Sequence, residues 1–137
     1  MFSWLLGRRV PYTGSIGARV EAFEPGHAIV SMRDRKGVRN HLHSVHAIAL
    51  ANVGELTTGL AVLGAMDEGV RGILTGLEVS YRRKARGRLT AETRCSVPAV
   101  VEPVDWRVEA NVRDASGAVV AVVTAAWRLA RVPEAGP

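Results

Sequence analysis

The sequence predicts an α+β domain in which an antiparallel sheet of about six strands covers one long central helix with its apolar face. Three observations predict this fold. Residues 46–66 form one apolar run, too long for a strand and rich in the helix formers Ala and Leu. Two segments of alternating polarity precede this run and four follow it. Most links between the alternating segments are short, which favours antiparallel pairing.

The elements follow in a simple order. Residues 1–13 are an N-terminal segment that we expect to form a short helix, residues 14–130 form the domain, and residues 131–137 form a loose tail. Two strands, at residues 15–23 and 27–34, flank the turn signal Glu24-Pro25-Gly26 and predict a hairpin. A polar loop leads to the helix. The later strands, which we expect in meander order, cover residues 77–82, 89–97, 104–113 and 118–129.

Composition limits the function classes. The chain has 137 residues, which is typical of one domain, and 47% of them are hydrophobic, which is too apolar for a disordered chain. The single cysteine, Cys95, forms no disulfide within the chain and fits a cytoplasmic protein. We expect no membrane span, because charged or polar residues interrupt every apolar stretch. We also expect no cofactor, and no metal, although His41, His43 and His46 lie close in sequence.

The net charge of +5 comes almost entirely from arginine. Arginine binds phosphate through two parallel hydrogen bonds, so a nucleic acid or a nucleotide-containing molecule is a plausible partner. We find no helix-turn-helix, no zinc spacing and no aromatic stacking motif, and aromatic residues make up 5% of the chain. A nucleic-acid partner is therefore not expected.

Glu55 is the first candidate for chemistry. It lies in the middle of the apolar run. A carboxylate on a buried helix is costly unless it has a partner or takes up a proton. Burial also raises a carboxyl pKa towards the range useful for acid–base catalysis. The structural alternative is that Glu55 lies on an exposed face or pairs with an arginine.

The start of the helix is the second candidate. Its first N–H groups lack acceptors within the helix and favour negative charge, and small Ala47 leaves them accessible. These groups suit the oxyanion that forms when a thioester carbonyl is attacked. The alternative is an ordinary helix start capped by Ser44. His46 and Glu55 are nine residues apart, roughly 13 Å along the helix and on opposite sides. A two-fold dimer would place the helix start of one copy beside Glu55 of the other.

Two motifs resemble those of a known family. Asn40, then His46-Ala47, then Glu55 resembles the loop-and-helix motif of hotdog thioesterases related to the phenylacetate-pathway enzyme, which has Asn or Gln, then His-Gly-Gly, then an acidic residue nine positions after the His. Residues 77–92 resemble a second pattern of this family, Tyr/Phe-Leu-Arg-Pro-Ala-x-x-Gly-x-Leu-x-Ala. The resemblance covers roughly residues 14–129 and is strongest to uncharacterised, DUF4442-like single domains.

The resemblance implies a hotdog fold, in which a curved antiparallel sheet of about six strands wraps around the central helix. It also implies a homodimer or dimer of dimers and an acyl-CoA thioesterase activity. It implies that Glu55 is the base or nucleophile and that the Ala47 N–H holds the thioester oxygen. Asn40 would orient water or substrate, His46 would shape the helix start, and Thr58 would bind the same water or the carboxylate, unless its hydroxyl bonds the helix backbone. The substrate-binding residues would be Ile48, Tyr81 and a basic cluster that meets the CoA phosphates, here named the 82–88 cluster: Arg82, Arg83, Lys84, Arg86 and Arg88.

The sequence departs from the family pattern at two places, and alternatives stay open. Ala47-Ile48 replaces Gly-Gly and crowds the helix start, and Arg83-Lys84 replaces Arg-Pro. One alternative is a non-catalytic acyl-CoA or lipid-binding protein in which Glu55 is structural. Another is a hotdog dehydratase, because His41 and Glu55 are fourteen residues apart, although the Pro- and Gly-rich loop of those enzymes is missing. A solvated basic turn is the alternative reading of the 82–88 cluster.

Overall fold

The computed structural model describes residues 16–41 and 44–133. The expected N-terminal helix, His43 and the last four residues of the tail lie outside this part of the chain. The described elements are β1 (Arg19–Glu24), β2 (His27–Met32), a 3-10 turn (Lys36–Val38), α1 (Ala47–Ala65), β3 (Val70–Tyr81), β4 (Leu89–Arg94), β5 (Val104–Arg113) and β6 (Val119–Arg131).

The described strands form one antiparallel sheet in the order β1-β2-β4-β5-β6-β3. The prediction of an α+β domain with about six strands and one helix is confirmed. The predicted meander is wrong at one point, because β3 lies at the far edge beside β6 and not beside β4. The seven-residue link 82–88 is long enough to cross three strand spacings, roughly 14 Å.

The crossing link is fixed by backbone hydrogen bonds. Arg82 N–H donates to the Val120 carbonyl at 2.8 Å, and Val45 N–H donates to the Ala85 carbonyl at 2.8 Å. Ala85 is buried, with 2% of its surface exposed. The link therefore crosses the sheet at the start of the helix, and it holds the 82–88 cluster there.

Strand β3 is longer than the sequence pattern predicts. It begins at Val70, seven residues before the start of the predicted strand. The register with β6 shifts between Leu74 and Gly76, so a bulge interrupts the alternation of side chains. A two-residue period cannot be recognised across a bulge, and Gly72 and Gly76 have no side chain to show which face they occupy.

The inner face of the sheet packs on one side of α1. The buried side chains of the helix face alternate residues of the middle strands, including Val30, Ala91, Val112 and Val123. Gly54 permits the closest approach, because a Cβ there would lie 2.8 Å from Val123 Cγ1 and nearer still to its Cβ and Cγ2. The core thus lies between α1 and the sheet.

Helix α1 also has the length and apolar composition of a membrane span. Half of it is buried inside the domain. This is the environment of a core helix, and length and composition alone are weak evidence for a membrane segment.

Candidate active site

One stripe of α1 is only partly covered by the sheet. It consists of residues spaced three or four apart, so they line up along the helix. Ile48 and Leu63 are 54% and 59% exposed, and Asn52, Glu55 and Gly59 between them are partly buried. The sequence shows a helix that is apolar on nearly every side, and one apolar side of it is left uncovered by the described part of the chain. Glu55 lies in the middle of that side.

The Glu55 carboxylate is partly buried and has no hydrogen-bond donor or cation bound to it among the described residues. Burial raises the pKa of Glu55 above its ordinary value. The alternative in which Glu55 pairs with an arginine is therefore not found in the described part of the chain. A carboxylate in this state is a stronger base than an exposed one once it is ionised.

Glu55 borders an apolar groove of about 420 Å³ along the second half of α1. Its floor includes Trp127, whose ring lies near Gly59 and Gly72: a Cβ at Gly59 would lie 3.2 Å from the indole. The groove continues past Leu63 to Met66. These groove residues were not identified from the sequence, because Gly, Leu, Met and Trp in an apolar setting are indistinguishable there from ordinary core residues.

Asn52 is a further polar residue that the sequence did not identify. It lies one turn before Glu55, and its Oδ1 is buried without a hydrogen-bond partner in the described part of the chain. An amide embedded in an apolar helix was the available signal. Buried polar atoms are normally bonded, so this oxygen is an unsatisfied acceptor one turn from the carboxylate.

At the start of α1 the Ile48 N–H is capped, whereas the Ala47 N–H is not capped by a described residue. His46 is the N-cap, and its Nδ1 accepts a hydrogen bond from the Ile48 N–H at 3.0 Å. The expectation that Ser44 is the alternative cap is wrong, because Ser44 is buried and donates its hydroxyl to Asn40 Oδ1 at 3.4 Å. The Ala47 N–H has no acceptor among the described residues. It is the helix-start donor that the resemblance assigns to the thioester oxygen.

A second depression, of about 290 Å³, adjoins the helix start. It brings together half of the predicted site residues, which are Asn40, Ala47, Tyr81, Arg82, Arg83 and Lys84. The Tyr81 hydroxyl donates to the Ala47 carbonyl at 2.9 Å, so the end of β3 is tied to the start of α1. Asn40 closes the preceding loop, since its N–H donates to the Ser44 carbonyl at 2.8 Å.

The other predicted site residues lie elsewhere. Thr58 is fully buried, and its hydroxyl donates to the Glu55 backbone carbonyl at 2.9 Å, which is the structural alternative stated for it. Ile48 and His46 border a separate depression behind the helix start. Arg88 donates to Glu21 at 3.0 Å, whereas Arg86 is exposed near Asp34.

Glu55 and the Ala47 N–H do not meet within one chain. They are eight residues apart, about 12 Å along the helix, and they border different depressions. Each depression therefore contains part of the chemistry of the predicted site. Among the described residues, no three His, Cys, Asp or Glu side chains are placed to hold a metal ion.

The sequence matches a family model, the domain of unknown function DUF4442, over residues 1–129. No match was found among curated proteins. Two solved structures share 25% or more sequence identity with the chain. One is the genomics target APC5556, with 29% identity, a TM-score of 0.87 and coverage of 96% of this chain and 88% of that one.

The other structure is PA5026 from Pseudomonas aeruginosa, described as a protein of unknown function and probable thioesterase. It has 25% identity and a TM-score of 0.85, with coverage of 94% of this chain and 93% of that one. A mutant of SAV0944 from Staphylococcus aureus, described as a thioesterase enzyme, shares 14% identity with a TM-score of 0.77, and the match covers 88% and 98% of the two chains. At that identity it supports the fold alone. These likenesses confirm the predicted hotdog fold.

Proposed function

The chain belongs to the DUF4442 family of hotdog domains, and from that premise we propose that it hydrolyses acyl thioesters, with acyl-CoA as the substrate class. The observation that carries the proposal is the Glu55 carboxylate, partly buried, unpartnered among the described residues, and placed at an apolar groove. The similarity to PA5026 supports the reaction type.

In the proposed reaction, ionised Glu55 takes a proton from a water molecule as the water oxygen attacks the thioester carbonyl. The carbonyl oxygen becomes an oxyanion, which the Ala47 N–H of a second copy stabilises at the helix start. The C–S bond then breaks, the thiolate leaves, and the proton held by Glu55 neutralises it. The acyl chain occupies the groove between α1 and Trp127. The alternative is direct attack by Glu55 on the thioester carbon, followed by hydrolysis of the anhydride.

The proposed active unit is a homodimer, because the two halves of the site are separate in one chain. β3 is an edge strand of twelve residues, and its exposed apolar side chains include Ile73, Leu77 and Tyr81, at 54%, 41% and 50% exposure. A long apolar edge strand is a natural site for pairing with another chain. Pairing of two β3 edges about a two-fold axis would bring Glu55 of one copy towards Ala47, Asn40 and the 82–88 cluster of the other.

The test measures thiol release from short, medium, long and aryl acyl-CoAs by the wild type, Glu55→Gln and a matched control, Glu102→Gln, which changes an exposed carboxylate of the loop between β4 and β5. Loss of the general base is expected to lower kcat/KM by about 10² to 10⁴-fold, and the control is expected to match the wild type. Activity should rise with pH through the raised pKa of Glu55, because the base works in its ionised form.

One observation favours a second candidate, a non-catalytic acyl-CoA binder. The Ile48 N–H is already bonded to His46, and the Ile48 side chain is exposed beside it, so the helix start offers fewer free donors than a Gly-Gly start. Binding of acyl-CoA without turnover of any panel member would support this candidate over hydrolysis. The dehydratase alternative has no such support, since none of the depressions at α1 described above contains both His41 and Glu55.

A further inference from the structure

One end of the sheet concentrates positive charge. The pairing register places the starts of β1, β4 and β6 and the ends of β2, β5 and β3 at the same end. This basic end contains the 82–88 cluster and five arginines on the other strands and loops, which are Arg19, Arg33, Arg35, Arg39 and Arg113.

Few acidic side chains offset this charge. Counted over the side chains that the structure describes, ten cationic residues of the basic end face three acidic ones, Glu21, Asp34 and Asp114. Away from this end, the described chain has nine acidic residues against five arginines. The helix dipole adds to the difference, because α1 begins at this end, where Tyr81 bonds to the Ala47 carbonyl.

The basic end is wider than one nucleotide requires. Arg82 follows β3 at one edge of the sheet and Arg19 begins β1 at the other edge, five strand spacings or about 24 Å along the sheet. A depression of about 280 Å³ between Arg19, Arg33 and Arg88 is separate from the one at Ala47. The phosphates of one CoA molecule would engage the cluster beside Ala47 and leave the β1–β2 arginines unused.

The two loops that carry most of this charge are held together. Asp34 accepts hydrogen bonds from Arg39 and from the Gly87 N–H, the latter at 2.8 Å. Glu21 similarly joins Arg88 to β1 and accepts from the Ser31 hydroxyl at 2.6 Å. The cations therefore lie on one fixed surface that adjoins the helix start.

We propose that the basic end docks an acidic carrier protein, which presents the acyl group as a thioester on a phosphopantetheine arm. The inference rests on the proposed hydrolase function and specifies its partner. The arm has the chemistry of the corresponding part of CoA, so the same helix start would receive either thioester. A broad surface of exposed cations complements an acidic protein surface and speeds the encounter. In the described chain, Tyr81 is the one aromatic residue of the basic end. This end therefore offers no aromatic platform on which nucleic-acid bases could stack.

The test compares one acyl group attached to CoA and to an acyl carrier protein. Arg19→Glu/Arg33→Glu reverses two exposed charges that lie outside the depression at Ala47. The KM for the carrier-bound substrate is expected to rise about tenfold, while that for acyl-CoA stays within about twofold. The matched control, Arg107→Glu/Arg131→Glu, makes the same net change nearer the opposite end of the sheet and should alter neither value.

Direct binding keeps the test independent of turnover. Fluorescence anisotropy of labelled carrier protein is expected to show binding that weakens with salt and is lost in the double reversal; Arg33→Ala serves as the milder variant if the double one does not fold. If the Arg19→Glu/Arg33→Glu variant binds the carrier as tightly as the wild type does, the docking proposal is overturned, even if acyl-CoA is hydrolysed. Tighter binding of a DNA oligonucleotide or anionic vesicles than of the carrier also overturns it. Carrier binding without hydrolysis of either thioester supports the docking surface and contradicts the hydrolase.

Discussion

At the scale of residues, Glu55 is a partly buried carboxylate without a hydrogen-bonding or ionic partner in the described chain. Its neighbours along the exposed stripe, Asn52 and Gly59, give it no charge to pair with. Evolution of a folded core alone would favour an apolar residue here, because burial of an unpaired carboxylate is costly. The position makes sense if water or a thioester meets the carboxylate, and this could be anticipated from the sequence because a single acid interrupts a long apolar run.

The raised pKa of Glu55 predicts a pH-dependent stability. The unfolded chain holds this proton less tightly, so the contribution of Glu55 to stability is complete below its ordinary value of 4.5 and is lost as pH rises through the raised value. Glu55→Gln, which mimics the protonated form, should therefore raise Tm at pH 7 and change it little at pH 4. Thermal melts at the two pH values check this, with Glu102→Gln as the exposed control. Equal effects at both pH values would contradict it.

At the scale of elements, the contact between α1 and β6 depends on one glycine. Gly54→Ala places a methyl group against Val123 and is expected to destabilise the fold by about 1 to 3 kcal/mol through overpacking. Gly76→Ala is the matched control, because the nearest atom to its new methyl group, Ala126 Cβ, would be 3.7 Å away. Denaturant melts measure both, and a stability of Gly54→Ala equal to that of the control would show that the approach is not tight.

The elements were largely predictable from the sequence, and the exceptions have physical causes. The apolar residues of the sequence predict both α1 and β5. The β5 strand begins and ends where the alternation of apolar and polar residues does. The first half of β3 was missed, because the bulge between Leu74 and Gly76 breaks the period. The position of β3 beside β6 was missed because local pattern contains no information about which distant strand completes an edge.

At the scale of the whole molecule, the candidate site could be predicted only in parts. Spacing within α1 identifies Glu55 and Ala47, since a helix has a fixed rise. The groove beside Trp127 and Met66 depends on β3 and β6 reaching the end of α1, which no local motif encodes. The roles of Asn40 and the 82–88 cluster stay predictions, because each of them depends on a second copy of the chain.

The edge of β3 is expected to make the dimer. Ile73→Lys/Leu77→Lys places two charges on the exposed edge strand and should convert the protein to a folded monomer, because edge lysines block strand pairing. The control is Val101→Lys, at an exposed apolar residue of the loop between β4 and β5. Light scattering at micromolar concentration distinguishes the states. A wild type that is monomeric, or an unchanged dimer in the double variant, would contradict this interface.

The most direct measurement of the central claim is a mixing experiment with two inactive variants. Glu55→Gln lacks the base, and Ala47→Trp blocks the helix start, so a mixed dimer regains one intact site only if each site uses both copies. After co-refolding in equal amounts, acyl-CoA hydrolysis should recover to about a quarter of the wild-type rate, because about half of the dimers are mixed and each has one of two sites intact. Mixed dimers that form but remain inactive would contradict a shared thioesterase site.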